Sequence, residues 1–329
     1  MREDELAILT QYDIDVRNTR KVRGAILCDS AQGLYLIKEM KFSEKRMVAL
    51  CDLHDRLQEQ GYGYIDWILK NKEGAPFSVG EDGSRYFLTR WYNGRECDIH
   101  KESDVMEAVR SLTTIHKALQ KCEPLVVPVG ENTEQEFIRH NREMKKVRTF
   151  MRDKVGKGDF ELTFLKYFDA MYACAETALE RLQKSDYTVL FERAKKDHTL
   201  IHGDYNYHNI LMMCGGVAIT NFEHVQTNLQ VTDLYYFLRK VMEKNRWDVQ
   251  LGDKIIQQYH KLLPLEDAQL EYLAICIAYP EKFWKAANSY YRSRKVWIPA
   301  KNLEKLEMVI RQTEEKKAFL RTIFSVNHF

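Results

Sequence analysis

The rhythm of apolar and polar positions changes near residue 92. Before it, β-like runs dominate. "KVRGAILCD" and "GLYLIKEM" read as strands, and the "SAQG" between them is a hairpin signal. "SEKRMVALCDLHDRLQEQG" then carries a stripe at Met47, Leu50, Cys51, His54 and Leu57 with helical spacing. Ser43 is its expected N-cap and Gly61 its expected stop. "YIDWILKN" and "SRYFLTRWY" predict two more strands, joined by a loop rich in Gly, Pro and acids. After "YNGRE" the period becomes helical, over roughly 103–120, 131–153, 160–183, 231–245, 249–263, 266–279 and 300–324. A short β interruption at 199–222 breaks that series. The pattern predicts an α+β chain: a small sheet with one helix, a hinge near Thr89 to Gly94, and a large helical part.

Composition narrows the class. Of 329 residues, 45% are hydrophobic and 30% charged, as in an ordinary soluble globular protein. The formal net charge is only +2 with the signs interleaved, which argues against a nucleic-acid face. The basic run "REMKKVR" sits in a helical pattern and reads as a solvated helix face. Nothing approaches the ~20 apolar residues of a membrane span. The acidic start "MREDELAILTQYDID" lacks an apolar signal core, so secretion is not expected. Seven dispersed cysteines without a C-x-x-C pair suggest reduced thiols in a cytosolic protein.

The chemistry concentrates in "LIHGDYNYHNIL". A short apolar run enters His202-Gly203-Asp204, crosses polar and aromatic residues, and delivers Asn209 before a second apolar run. Phosphoryl transfer needs a group to orient the acceptor hydroxyl and hard oxygen ligands for magnesium. The protein-kinase loop H-R-D-x-x-x-x-N spaces its base Asp and its metal-binding Asn as Asp204 and Asn209 are spaced here, with Gly in place of Arg. The following "GGVAITNFEHV" offers Asn221-Phe222-Glu223 where a kinase has D-F-G. The bland reading is a polar turn between two buried strands.

On "HGDYNYHN" and the strand-then-x-Phe-acid segment, the chain resembles the aminoglycoside/choline phosphotransferase superfamily. Within it, "VTDLYYFLRKVMEKNRWD", "YPEKFWKAANSYY" and "GLYLIKEM…LHDRLQEQGY" are similar to the CotS family of bacterial spore coat proteins. The resemblance implies a two-lobed protein-kinase-like fold, with a β-rich nucleotide-binding lobe over 1–92 and a helical lobe over 93–329 that carries the catalytic loop and acceptor site. It implies ATP and magnesium as cofactors, and a nucleotide, a hydroxyl acceptor and other spore coat proteins as partners. Neither nucleic acid nor membrane is implied, and the place is the mother-cell cytoplasm and the spore coat. By the same resemblance, Asp204 is the catalytic Asp, Asn209 a magnesium ligand, and Asn221 stands where the metal-binding Asp is expected. Lys38 resembles the phosphate-pairing lysine, and Thr89 to Asn93, with Arg90, Trp91 and Tyr92, resembles the adenine hinge. Asp233 resembles a buried acid that braces the loop.

The pattern departs in three places. Asn221 is neutral where an acid is expected, and Glu223, two residues on, is the candidate to compensate. No G-x-G-x-x-G is present. The acidic partner of Lys38 is not evident, and Glu44, in the first turn of the 43–61 helix, is the candidate. His54 reads as a satisfied, half-buried histidine, His202 as structural and His208 as an exposed loop residue. The aromatics of "YPEKFWKAANSYYRSRKVWIP" either wall an acceptor pocket or pack helices. The competing function is a kinase-fold structural coat protein with weak or absent catalysis.

Overall fold

The computed structural model describes residues 7–22, 24–122, 124–292 and 300–325. They form two compact units: Met1–Val129 with Asp197–Asp233, and Gly130–Lys196 with Leu234–Phe329.

The first unit is built on a six-stranded sheet ordered β1 (Val16–Val22), β2 (Ala25–Ser30), β3 (Gly33–Glu39), β6 (Arg85–Trp91), β4 (Ile68–Leu69), with β5 (Ser78–Val79) also on β6. "KVRGAILCD" is not one strand, because Val22 pairs with Ala25 across a tight turn. "YIDWILKN" yields only the two-residue β4. The helix α1 (Glu44–Glu59) begins where expected, with the Ser43 hydroxyl accepting the Arg46 N–H. Gly61 follows it in the left-handed region, φ 77°, where glycine is unpenalised. Met47, Leu50, Leu53 and Leu57 are buried, and Met47 packs with Met40 and Phe87 of the sheet region.

The β interruption supplies the rest of this unit. β9 (Ile210–Met213) lies between β10 (Gly216–Ile219) and β7 (Arg95–Glu96), and β8 (Leu200–Ile201) pairs with β11 (Gln226–Thr227). Helix α2 (Glu102–Gln120) has an apolar face formed by Val105, Val109, Leu112 and Leu119. The Tyr205 hydroxyl donates to the Ala108 carbonyl of α2 at 2.7 Å.

The second unit is helical: α3 (Thr133–Asp153), α4 (Asp159–Lys184), α5 (Tyr187–Lys196), most of α6 (Val231–Lys244), α7 (Val249–Leu262), α8 (Asp267–Ala278), α9 (Glu281–Arg292), α10 (Ala300–Arg311) and α11 (Thr313–Phe324). The single helix expected at 300–324 is two, broken at Gln312. The aromatic segment serves packing: Tyr279 stacks on Phe137 at 3.7 Å, Phe283 on Phe164 at 4.7 Å, and Tyr290 on Phe160 at 4.9 Å. Trp297 of that segment lies outside the described residues. No described helix is long and apolar enough to cross a membrane, and the seven cysteines are free.

Candidate active site

The loop 202–209 hangs between β8 and β9, and one carboxylate fixes its entry. Asp233, buried at the start of α6, accepts the backbone N–H groups of His202 at 2.7 Å and Gly203 at 3.0 Å, and lies 3.1 Å from His116 Nε2. This is the brace expected of it. Gly203 has φ 79°, and a Cβ there would come within 2.1 Å of the His224 carbonyl oxygen. Gly therefore replaces the kinase Arg because nothing larger fits. His202 is structural. Its Nδ1 accepts the Asp204 N–H at 3.1 Å, so Nε2 donates to the Thr220 carbonyl at 3.0 Å, and burial pushes its pKa down.

Asp204 emerges surrounded by amide donors. Its Oδ1 accepts from Asn206 Nδ2 at 2.9 Å, and its Oδ2 from Asn209 Nδ2 at 2.8 Å and Asn221 Nδ2 at 2.9 Å. Asn221 follows β10 in the left-handed region (φ 74°, ψ 43°), a conformation in which Asn is better tolerated than most residues. Its other amide atom, Oδ1, accepts from Lys38 Nζ at 3.2 Å. One carboxamide thus bridges the β3 lysine to the loop aspartate. Lys38, Asp204, Asn209 and Asn221 are brought together, and they lie within one compact unit.

Lys38 has acidic neighbours, but Glu44 is not one of them. Glu44 is exposed and pairs with Arg85 at 2.8 Å. The helix presents it to solvent, one turn too early to face β3. Glu223 Oε1 lies 2.6 Å from Lys38 Nζ and Asp66 Oδ2 lies 3.9 Å away. Glu223 reaches the lysine because residues Phe222–His224 form a 3₁₀ turn rather than a continuing strand. Asp66 was not anticipated. It is buried, accepts the Asn221 N–H at 2.7 Å, and burial raises its pKa to about 6 despite the nearby Lys38. The signal for it was a lone acid inside the apolar run "YIDWIL".

His54 is fully buried, not half-buried, and neither ring nitrogen has a hydrogen-bond partner among the described residues. It packs edge-on against Trp67 and Phe222, with centroids 5.5 and 5.8 Å away, and burial lowers its pKa to about 3. His208 pairs with Glu96 at 2.8 Å rather than standing free in solvent.

A cavity beside these residues is lined by Leu36, Lys38, Trp91, Asn209, Asn221 and Glu223, among others. Of the hinge residues, Trp91 faces it. Arg90 is exposed over the Tyr92 ring, and the Tyr92 hydroxyl is used on the Gly63 and Ile65 carbonyls. Asn209 contributes an Oδ1 with no partner among the described residues. Its neighbour Glu96 is held by His208, and Glu39 by Lys41 at 3.3 Å. Asn209, Asn221 and Glu223 line this one cavity, and their carboxamide and carboxylate oxygens are of the hard type that magnesium takes, with the Asn221 and Glu223 oxygens here engaged by Lys38. No cluster of three His, Cys, Asp or Glu suited to a metal occurs among the described residues.

A family model described as "Spore coat putative kinase YutH" matches residues 5–323. The chain belongs to this family. Spore coat protein S of Bacillus subtilis (strain 168) is 26% identical to the YutH-family chain over 302 residues, 89% of this chain and 84% of that protein. The crystal structure of an aminoglycoside phosphotransferase from Alicyclobacillus acidocaldarius subsp. acidocaldarius DSM 446 matches with a TM-score of 0.85 at 17% identity, covering 97% of this chain and 95% of that one. Amicoumacin kinase hAmiN, in complex with AMP-PNP, Ca2+ and Ami, matches with a TM-score of 0.62 at 11% identity over 96% and 94%. The fold of the YutH-family chain is thus protein-kinase-like α+β, as the CotS-like loop implied.

Proposed function

We propose that this spore-coat-family chain binds ATP beside Lys38 and transfers its terminal phosphoryl group to a hydroxyl acceptor. The observation that carries the reading is the Asn221 carboxamide, which joins Lys38 to Asp204 across 3.2 and 2.9 Å. Polyphosphate charge would be met by the Lys38 ammonium, and the adenine by the apolar wall at Leu36 and Trp91. Asp204 would orient the acceptor hydroxyl and take its proton as the oxygen attacks the γ-phosphorus. The bond to the β–γ bridging oxygen then breaks and ADP leaves. Asn209, Asn221 and Glu223 would hold magnesium, which when bound neutralises phosphate charge. The relationship to Spore coat protein S supports a place in the coat beside other coat proteins.

A second reading has its own observation. Asp204, Lys38 and Asn221 satisfy one another without any ligand, as a nucleotide-free structural protein would. Two measurements decide between them: the thermal shift with AMP-PNP and magnesium, and single-turnover phosphoryl transfer from ATP over a panel of hydroxyl acceptors. The phosphotransferase reading requires a shift that survives in Asp204→Ala, and transfer that falls at least ~100-fold in that variant. No shift at millimolar nucleotide would leave the structural reading standing.

A further inference from the structure

The second unit holds a cavity of its own, between the ends of α6, α8 and α9 and the helices α10 and α11. Its interior of about 60 Å³ exceeds several-fold what one water requires. Arg239 lines it and is 4% exposed. Its Nη1 donates to Glu243 Oε1 at 2.9 Å and its Nε lies 3.1 Å from Glu281 Oε2. Its Nη2 is buried with no hydrogen-bond partner among the described residues. Lys316, also lining the cavity, gives two of its three N–H donors to the carbonyls of Ala278 at 3.0 Å and Tyr279 at 3.3 Å. No carboxylate pairs with it among the described residues.

The local charge does not balance. Glu243 is shared by Arg239 and by Lys282 at 2.7 Å, while Glu281 is shared by Arg239 and Lys285. Burial lowers the Lys316 pKa to about 8, which leaves it largely cationic at neutral pH, and with it there are four cations for two carboxylates. Glu136, outside the cavity wall, has its carboxyl raised to about 7 by burial and by Glu281, so it adds only a partial negative charge. A buried guanidinium donor left unpaired is costly, and an anion would satisfy it and the spare ammonium proton together. The Trp247 and Val309 side chains give the same cavity apolar walls.

We propose that this cavity binds a small anionic group, a carboxylate or phosphate carried on an apolar body, between Arg239 Nη2 and Lys316 Nζ. It is a site separate in chemistry from the nucleotide site and stands whether or not that one is catalytic.

The test is a melting titration of the full chain with inorganic phosphate and, separately, with butyrate, at ionic strength held constant with chloride. One of the two should raise the midpoint saturably, and which one does so names the ligand's head group. Lys316→Met should weaken that response at least about tenfold. Val309→Trp, which fills the cavity without touching a charge, should remove it even if Lys316→Met does not fold. Lys38→Met should leave it unchanged, which separates it from phosphate bound at the nucleotide site. A wild-type protein indifferent to both anions overturns the proposal. So does a shift that persists in both cavity variants, or one that Lys38→Met abolishes.

Discussion

Lys38 Nζ lies 2.6 Å from Glu223 Oε1, closer than the 3.2 Å that separates it from Asn221 Oδ1. An acid two residues along the chain therefore shares Lys38 with the Asn221 carboxamide. It reaches the lysine on a 3₁₀ turn and is held there by charge.

Glu223→Gln should uncouple nucleotide binding from magnesium. The substitution keeps the side chain's shape and removes the carboxylate nearest Lys38 Nζ, 2.6 Å away against 3.9 Å for Asp66. Magnesium affinity in the AMP-PNP complex should fall roughly tenfold, about 1.4 kcal/mol, since charge count sets affinity at hard-cation sites. Titration calorimetry of magnesium into the complex reads this directly. An unchanged isotherm would remove Glu223 from the metal set.

Asn221→Asp should make the protein divalent-dependent. In EDTA the new carboxylate would face Asp204 Oδ2 across the present 2.9 Å contact, where a donor now sits. Loss of that donor and the like-charge contact should cost about 1–3 kcal/mol, partly offset by Lys38. At ~2–4 °C per kcal/mol for a domain of this size, the midpoint should drop by several degrees and recover with magnesium. Melting curves in EDTA and in magnesium that match the wild type would show that position 221 is not a metal position.

Gly203→Ala should disable the loop. The added Cβ has no room against the His224 carbonyl, and φ 79° is itself strained for alanine. A loss of at least ~2 kcal/mol is expected, together with loss of the nucleotide-induced thermal shift. A variant that melts and binds like the wild type would mean the loop conformation is different in solution.

His54→Leu should stabilise the first unit and flatten its acid limb. The imidazole is buried with both nitrogens unpartnered, each costing about 1–3 kcal/mol. The unfolded chain takes a proton near the ordinary pKa of 6.5, whereas the folded chain refuses it down to about 3. Because the unfolded chain binds this proton and the folded chain does not, stability falls as pH drops through that window, in total roughly 4–5 kcal/mol. Denaturant melts at pH 7, 5 and 4 should show the wild type weakening more steeply than the variant.

Much of this site was legible in the sequence because it is local. The H-G-D-x4-N spacing and its flanking β runs place Asp204 and Asn209 without any long-range information. Lys38 and Asn221 are legible only through the resemblance to the phosphotransferase superfamily. What escaped were contacts set by tertiary geometry. Glu44 obeys the helix pattern but turns to Arg85, while Asp66 is buried by a stretch whose strand is only two residues long. Glu223 meets Lys38 through a 3₁₀ turn, whose geometry the residue types around it do not announce. The break at Gln312 carries neither Gly nor Pro, so the pattern from 300 to 324 reads as one helix.

The division of the chain between its two units bears on its biosynthesis. The first unit cannot close until Asp197–Asp233 has been made, and Gly130–Lys196 must be translated before that. At ~5–20 residues per second this is a wait on the order of ten seconds. Throughout that interval β7 lacks its partner β9 and, beyond it, β10, and the loop that Asp233 braces does not yet exist. A ribosome-bound chain halted before residue 197 would therefore hold Lys38 without Glu223 or Asn221, leaving Asp66 as its acidic neighbour, and would be a natural client for chaperones.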